Sequence, residues 1–458
     1  MISIWQPIFD NAIHPIYRQD QLNRSLFYAP GWLVIVPSGM ASDFQATIKD
    51  SARADWPEAV ELRRRAVEAQ ETWEGLRTAA FTPLCLTLYL NNTCNLNCVY
   101  CFSRSSRSRR EPLSLEAIRA AAEIVAQNCS ADQKPMTVVF HGGGEPTLNY
   151  ALIEQALDAL EGMATDYNLD LFRYIATNGV LSVARACGLA SRFDLIGLSC
   201  DGLPGIQNFQ RPLQKDSKHT SSWFVERTAH IVHLAKKPLH VRVTITPETI
   251  DRQAEIAEYI CQTLTPQEIH VEPVYTVEGD ETKSRFQPTQ AESYMEAFLQ
   301  ARQAAREYGI PWLASSSRPA EIHSTYCHIW RRVLNLTPEG VATLCFKLSD
   351  GESVHQQGFD LGHWNPLVGR FELRVNQIQD LCQKIETENE DCALCFNRYH
   401  CVRQCPDVCM LRSRTEVAGF RCQVQSMLAD TLIQETADAL CMNTSVQRPI
   451  IGIIPACL

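Results

Sequence analysis

From residue 84 onward the chain alternates short β-rich runs with amphipathic helical stretches, and this alternation restricts the fold more than any other feature. The runs are "CLTLYL", "TVVFH", "FRYIATN", "LIGLSC", "LHVRVTIT" and "IHVEPVY". Such repeats build a parallel sheet, because parallel neighbours need a crossover long enough to hold a helix. Between the first two runs, Pro112 and Ser114 mark a helix start, and Leu115, Ile118, Ala122 and Val125 return at helical spacing. Ile153, Leu157 and Leu160 repeat the pattern in the next connection. Six units fall between residues 81 and 276, fewer than the eight that close a TIM barrel. The expectation is an α/β fold: a partial (β/α)6 barrel whose active face lies at the strand C-termini. Residues 1–80 read as a leader of unassigned role, with one strand-like patch, "GWLVIV", and a charged helix. Residues 277–325 read as a connector, 326–425 as a cysteine-rich domain and 426–458 as a final helix and tail.

Nineteen cysteines in 458 residues are a large excess. The N-terminus lacks a basic segment followed by an apolar one, and no apolar run approaches the ~18 residues of a membrane span, so a cytoplasmic protein is expected. In that reducing compartment, thiols at regular spacing read as metal or cluster ligands before disulfides. A net charge of −10 offers no cationic footprint for a phosphate backbone, which argues against nucleic acid as a partner. Cys94, Cys98 and Cys101 follow the first strand in "CNLNCVYCF". An iron–sulfur cube that only passes electrons takes four protein ligands; three leave one iron open to bind a substrate or cofactor. A structural zinc with a distant fourth ligand, or unrelated core thiols, are the competing readings.

The loop, with Tyr100 directly before its third cysteine, resembles the signature of radical S-adenosylmethionine (SAM) enzymes. In that family the open iron is chelated by SAM, which is cleaved to a 5′-deoxyadenosyl radical. "FHGGGEP" at the end of the second strand strengthens the resemblance. By resemblance, Gly143, Gly144 and Glu145 hold the SAM amino group. Thr177 and Asn178 in "ATNG", and Ser199 and Asp201 in "LSCDG", contact its ribose or carboxylate. Arg242 pairs with the carboxylate, and Tyr100 and Phe102 flank the adenine. As plain sequence features, the glycine turn, these polar residues and the aromatics also suit structural roles. "SRSSRSRR", with Arg104, Arg107, Arg109 and Arg110, reads as a solvated loop rather than a gatherer of acidic peptide.

The second array is Cys327, twelve residues, Gly340, four residues and Cys345, then Cys392, Cys395, Cys401, Cys405 and Cys422. It resembles a SPASM domain, the extension that holds two auxiliary 4Fe-4S clusters in radical SAM enzymes acting on peptides. The resemblance implies Cys392, Cys395, Cys401 and Cys422 on the outer cluster and Cys327, Cys345 and Cys405 on the inner one. The inner cluster is then one ligand short, with an open iron or a remote ligand such as Cys261, Cys382, Cys409 or His323. Sulfatase-maturating members carry an Asp after the second of these cysteines; Phe346 stands there and disfavours formylglycine formation. The expected function is maturation of a ribosomally made precursor peptide with three 4Fe-4S clusters and SAM. The outcome is a crosslink, a thioether or a splicease-type excision. An electron donor such as a flavodoxin or ferredoxin is a partner. So is a separate leader-recognition protein, because residues 1–80 look poor in strands. Alternatives are modification of a folded protein partner and electron transfer without SAM cleavage.

Overall fold

The computed structural model describes residues 5–9, 14–103, 111–274, 286–314, 318–322, 331–386, 390–401, 419–442 and 447–454. The chain starts with strands β1 (Gln6–Pro7), β2 (Tyr17–Asp20), β3 (Arg24–Ala29) and β4 (Trp32–Pro37), all antiparallel. The leader is thus richer in strands than the single patch its sequence suggested. Pro30 and Gly31 make the β3–β4 turn, with Gly31 at φ 78°, a backbone setting that glycine takes without cost. Phe27, Val34 and Val36 bury against helices Ala41–Lys49 and Pro57–Thr78. Tyr28, Leu33 and Ile35, on the other face, bury against Phe396 and against Ala429, Ile433 and Ala437 of the long helix Phe420–Cys441. The leader therefore serves as a seat for the cysteine-rich end of the chain.

The main sheet carries the six strands read from the sequence: β5 (Cys85–Leu88), β6 (Met136–Phe140), β7 (Leu171–Thr177), β8 (Leu195–Ser199), β9 (Leu239–Ile245) and β10 (Glu268–Pro273). They lie in chain order and every pair is parallel. Two short strands extend this row: β11 (Trp312–Ala314) beside β10, and β12 (Val333–Leu336) beside β5, both parallel. Then β13 (Val341–Thr343), β14 (Asp360–Asn365) and β15 (Arg370–Leu373) continue antiparallel from β12. Among the described residues no ladder joins β11 to β12, so the barrel stays open. Finally β16 (Ile450–Ile453) returns to pair with β4.

Alternation decides which side chains reach the barrel interior. On β9, Val241, Val243 and Ile245 bury in the core beneath the helices, so His240, Arg242 and Thr244 face the lumen. Ser114 caps helix Leu115–Asp132 by accepting from the Ala117 N–H, as its position predicts. Gly340 turns the β12–β13 connection at φ 75°, and a Cβ there would meet the Trp364 side chain at 3.0 Å. This explains the glycine between Cys327 and Cys345. The fold places the thiol loop and Cys345 on the β5 side of the barrel, whereas Cys422 lies next to Arg421, which donates to Pro273 O at the end of β10.

Candidate active site

The three-thiol loop leaves the C-terminal end of β5, and backbone bonds stitch it to the glycine turn after β6. Gly144 N donates to Asn91 O at 2.8 Å and Glu145 N to Thr93 O at 2.8 Å, while Asn91 Nδ2 donates to Glu145 O at 3.0 Å. The approach is so close that a Cβ on Gly144 would lie 1.8 Å from Thr93 O, and one on Gly143 2.6 Å from Asn91 O. Gly142 carries the ring of Tyr89 where a side chain would stand, at 2.2 Å from a hypothetical Cβ. Each glycine of "HGGG" is thus a contact surface.

Glu145 is 3% exposed and its carboxylate knits the turn to the end of β7. Oε1 accepts from Thr147 N at 3.1 Å, from the Thr147 hydroxyl and from the Thr177 hydroxyl at 2.8 Å; Oε2 accepts from Asn178 N at 2.8 Å. Burial raises its pKa above the ordinary carboxylate value, and these bonds oppose the shift. The Asn178 amide reaches Asn95 Oδ1 at 2.7 Å and the Cys94 sulfur at 3.7 Å. On its other side the loop pairs with residues 210–214: Asn97 N donates to Pro212 O at 2.8 Å and Val99 N to Gln210 O at 2.9 Å.

Beneath the loop, Tyr100 donates to Asp201, which is fully enclosed. Arg211 adds Nε at 2.9 Å and Nη2 at 3.1 Å, and Thr244 N donates at 3.0 Å. Both Asp201 oxygens are therefore filled by protein donors. Burial pushes the Tyr100 phenol well above its ordinary value. Arg211 stands well above its own: desolvation opposes its charge, but Asp201 overrides it.

The structure gathers Cys94, Cys98, Cys101, Tyr100, Gly143, Gly144, Glu145, Thr177, Asn178 and Asp201 into one connected site. Ser199 closes β8 and is paired in register with Arg242. Arg242 turns toward β7, its Nε 3.3 Å from the Tyr174 hydroxyl. Phe102 is half-buried just past the third thiol. Burial pushes the Cys98 thiol up to about 12, against the nearby Arg211 charge and with Cys101 and Cys94 adding to the shift. Three thiols on one loop at a strand end are the donor set that a 4Fe-4S cube takes when one of its irons is left open.

Of the second array, Cys345, Cys392, Cys395, Cys401 and Cys422 are half-buried, and the Cys401 thiol meets Gln425 Oε1 at 2.8 Å. Cys327, Cys405, Cys409, His323 and the arginines 104, 107, 109 and 110 lie outside the described residues, as does the side chain of Cys382. Cys261 is buried in the core on the helix side of the barrel. Asn92 Nδ2 donates to Ser349 O at 2.9 Å, tying the loop to the segment after Cys345. Phe346 there lies 6.4 Å from Tyr89 and 5.9 Å from His141, ring to ring. Sequence reasoning missed Arg211, Tyr89 and His141. His141 precedes the glycine turn, and burial, with Arg242 nearby, lowers its pKa to about 4.

Residues 88–260 match the radical SAM superfamily. An uncharacterized protein of Methanocaldococcus jannaschii is 24% identical over 176 residues, covering 38% of this chain and 57% of that protein. The cysteine-type anaerobic sulfatase-maturating enzyme of Clostridium perfringens is 28% identical over 169 residues, 36% of this chain and 45% of that enzyme. The chain thus spans about half the length of these curated relatives. Native anSMEcpe with bound AdoMet has the same fold at TM-score 0.58 and 19% identity, over 79% of this chain and 98% of that one. Streptococcus suis SuiB bound to precursor peptide SuiA gives 0.50 at 14% identity, over 84% and 94%. The matched segment runs from β5 to the helix after β9 and so takes in most of the parallel strands, and no helix among the described residues is long and apolar enough to cross a membrane.

Proposed function

We propose that this protein cleaves SAM and uses the resulting radical to mature a ribosomally made precursor peptide. One observation carries the reading: the three-thiol loop and the glycine turn share backbone bonds so tightly that no side chain fits between them. Cys94, Cys98 and Cys101 hold a 4Fe-4S cluster with one iron left for SAM, and Gly143 and Gly144 admit the SAM amino group to the main chain. Glu145 Oε2, which takes a single bond from Asn178, keeps a lone pair for that ammonium. Asn178, Ser199 and Arg242 serve the ribose and carboxylate, and Phe102 the adenine. Asp201, with both oxygens filled, acts through Tyr100 as a positioning residue. When bound, the cluster and SAM supply a 5′-deoxyadenosyl radical that takes a hydrogen atom from the substrate.

Cys327, Cys345, Cys392, Cys395, Cys401, Cys405 and Cys422 hold two auxiliary clusters in this reading. A peptide is the proposed substrate because proteins of like fold hold one in their solved structures, anSMEcpe with Kp18Cys peptide and SuiB with precursor peptide SuiA. Phe346 gives the barrel mouth an apolar wall in place of the carboxylate that formylglycine formation uses. A crosslink, a thioether and an excision all remain outcomes of this site, and a flavodoxin or ferredoxin supplies its electron.

Anaerobic purification, iron and sulfide counts and an assay for 5′-deoxyadenosine test the first half. A colourless, iron-free protein would point to zinc, and an iron protein that leaves SAM intact to electron transfer alone. Co-expression with candidate precursor peptides tests the second: loss of two hydrogens from the peptide means crosslinking, a larger loss excision. An unmodified peptide beside active SAM cleavage would turn attention to a folded protein substrate.

A further inference from the structure

On the lumen face of the barrel, away from the thiol loop, two imidazoles and a carboxylate meet. His240 is second in β9, and Glu268 and His270 are first and third in β10. Register sets His240 directly opposite Glu268. Val241, Ile269 and Val271 alternate with them into the helix-side core, so all three share the lumen side. Glu268 Oε2 stands 3.2 Å from His270 Nε2 and 3.8 Å from His240 Nδ1, and the two rings are 5.5 Å apart between centroids at 29°. Each residue offers one ligand atom, and all three atoms lie within 4.8 Å of one another.

We propose that His240, Glu268 and His270 bind a divalent first-row transition metal ion, of which zinc is the test case. Two imidazole nitrogens and one carboxylate oxygen suit such an ion and leave a coordination position for water. The ligands sit on adjacent hydrogen-bonded strands, so side-chain rotations rather than backbone movement bring the three atoms to a common centre. Desolvation lowers the pKa of His240 and takes His270 down to about 4, so both rings are neutral donors near pH 7. Glu268 remains 37% exposed, which gives an ion a way in.

Arg242 is the competing cation, since register places it beside His270. Its Nε lies 3.3 Å from the Tyr174 hydroxyl across β8, while its charge also bears on both imidazoles and adds to the lowering of their pKa. Gly197 makes room for that contact: a Cβ on it would lie 2.1 Å from the Tyr174 hydroxyl. His240 precedes the C-terminal end of β9 by a rise of about 16 Å at ~3.3 Å per residue. An ion here ties β9 to β10.

The test uses the iron-loaded holoenzyme, dialysed against zinc chloride and then against metal-free buffer. About one zinc per chain should stay with the wild type, and at least tenfold less with His240→Ala or His270→Gln at equal iron content. His270→Asp, which restores an oxygen ligand, should regain part of it. Zinc X-ray absorption of the wild type should give nitrogen and oxygen neighbours at about 2.0–2.1 Å. Equal zinc retention in all variants, a sulfur shell at about 2.3 Å, or no retained zinc in the wild type would overturn the proposal. The absorption spectrum decides the matter even if a variant fails to fold.

Discussion

Tyr100, one residue before the last thiol of the loop, donates its hydroxyl to Asp201, which stands two residues past β8 and is closed off from solvent. Arg211 binds both oxygens of the same carboxylate and stacks its guanidinium over the Tyr100 ring at 5.4 Å. Cutting a buried pair of this kind on one side costs about 3–5 kcal/mol, because the remaining charge has no solvent to turn to. Asp201→Asn should therefore lower the melting temperature and free the loop. At equal protein, the iron content should drop by about one cluster and 5′-deoxyadenosine release should fall at least tenfold. Tyr100→Phe keeps the ion pair and should lose much less. If Asp201→Asn holds its iron and activity while melting early, the carboxylate is a fold element only.

Gly144→Ala probes the stitched turn. Its new methyl would meet the Thr93 carbonyl at 1.8 Å, which no rotamer relieves, so the loop has to move. SAM cleavage should fall a hundredfold or more, with the iron of the second array retained. Gly162→Ala, in a helix where nothing lies within 4 Å of the new Cβ, is the matching control and should be silent.

A pH dependence follows from His141. Desolvation lowers its pKa from 6.5 to about 4, so between those values the unfolded chain holds a proton that the folded chain refuses. Folding stability then rises with pH across that window and falls as the medium is acidified from 6.5 toward 4. The full difference is worth up to about 3 kcal/mol at 1.36 kcal/mol per pKa unit. Melting temperatures of the holoenzyme between pH 5 and 7 should show the slope, and His141→Gln should flatten it. An unchanged slope in the variant would mean that other groups carry it.

How far the sequence led depends on where each residue finds its partners. The six barrel strands and the Ser114 cap were legible because periodicity and capping are local. The thiol loop and the glycine turn were legible because their spacings are. Val333–Leu336 and Trp312–Ala314 escaped notice: each is short, and what makes it a strand is an edge of β5 or β10 supplied from far along the chain. In the leader, Tyr28 and Leu33 owe their burial to a helix about 400 residues later. Arg211 and His141 were invisible for the same reason, since neither has a local pattern and each gains its meaning from a strand end that topology brings near.

Phe346 offers the sharpest test of what the second array does at the barrel mouth. It follows Cys345 directly, and its ring packs against Tyr89 and His141, one from the end of β5 and one from the end of β6. A segment of the cysteine-rich domain therefore forms part of the wall beside the thiol loop, held there by the Asn92 bond to Ser349. Removing the ring leaves the thiols and the glycine turn untouched but opens the wall that the proposed function gives to the peptide. In Phe346→Ala, 5′-deoxyadenosine release should persist within a few-fold, while product per SAM cleaved should fall at least tenfold. Both readings come from one reaction by chromatography and peptide mass. Equal losses in the two would place Phe346 under the SAM site instead, and no loss in either would remove it from the substrate path.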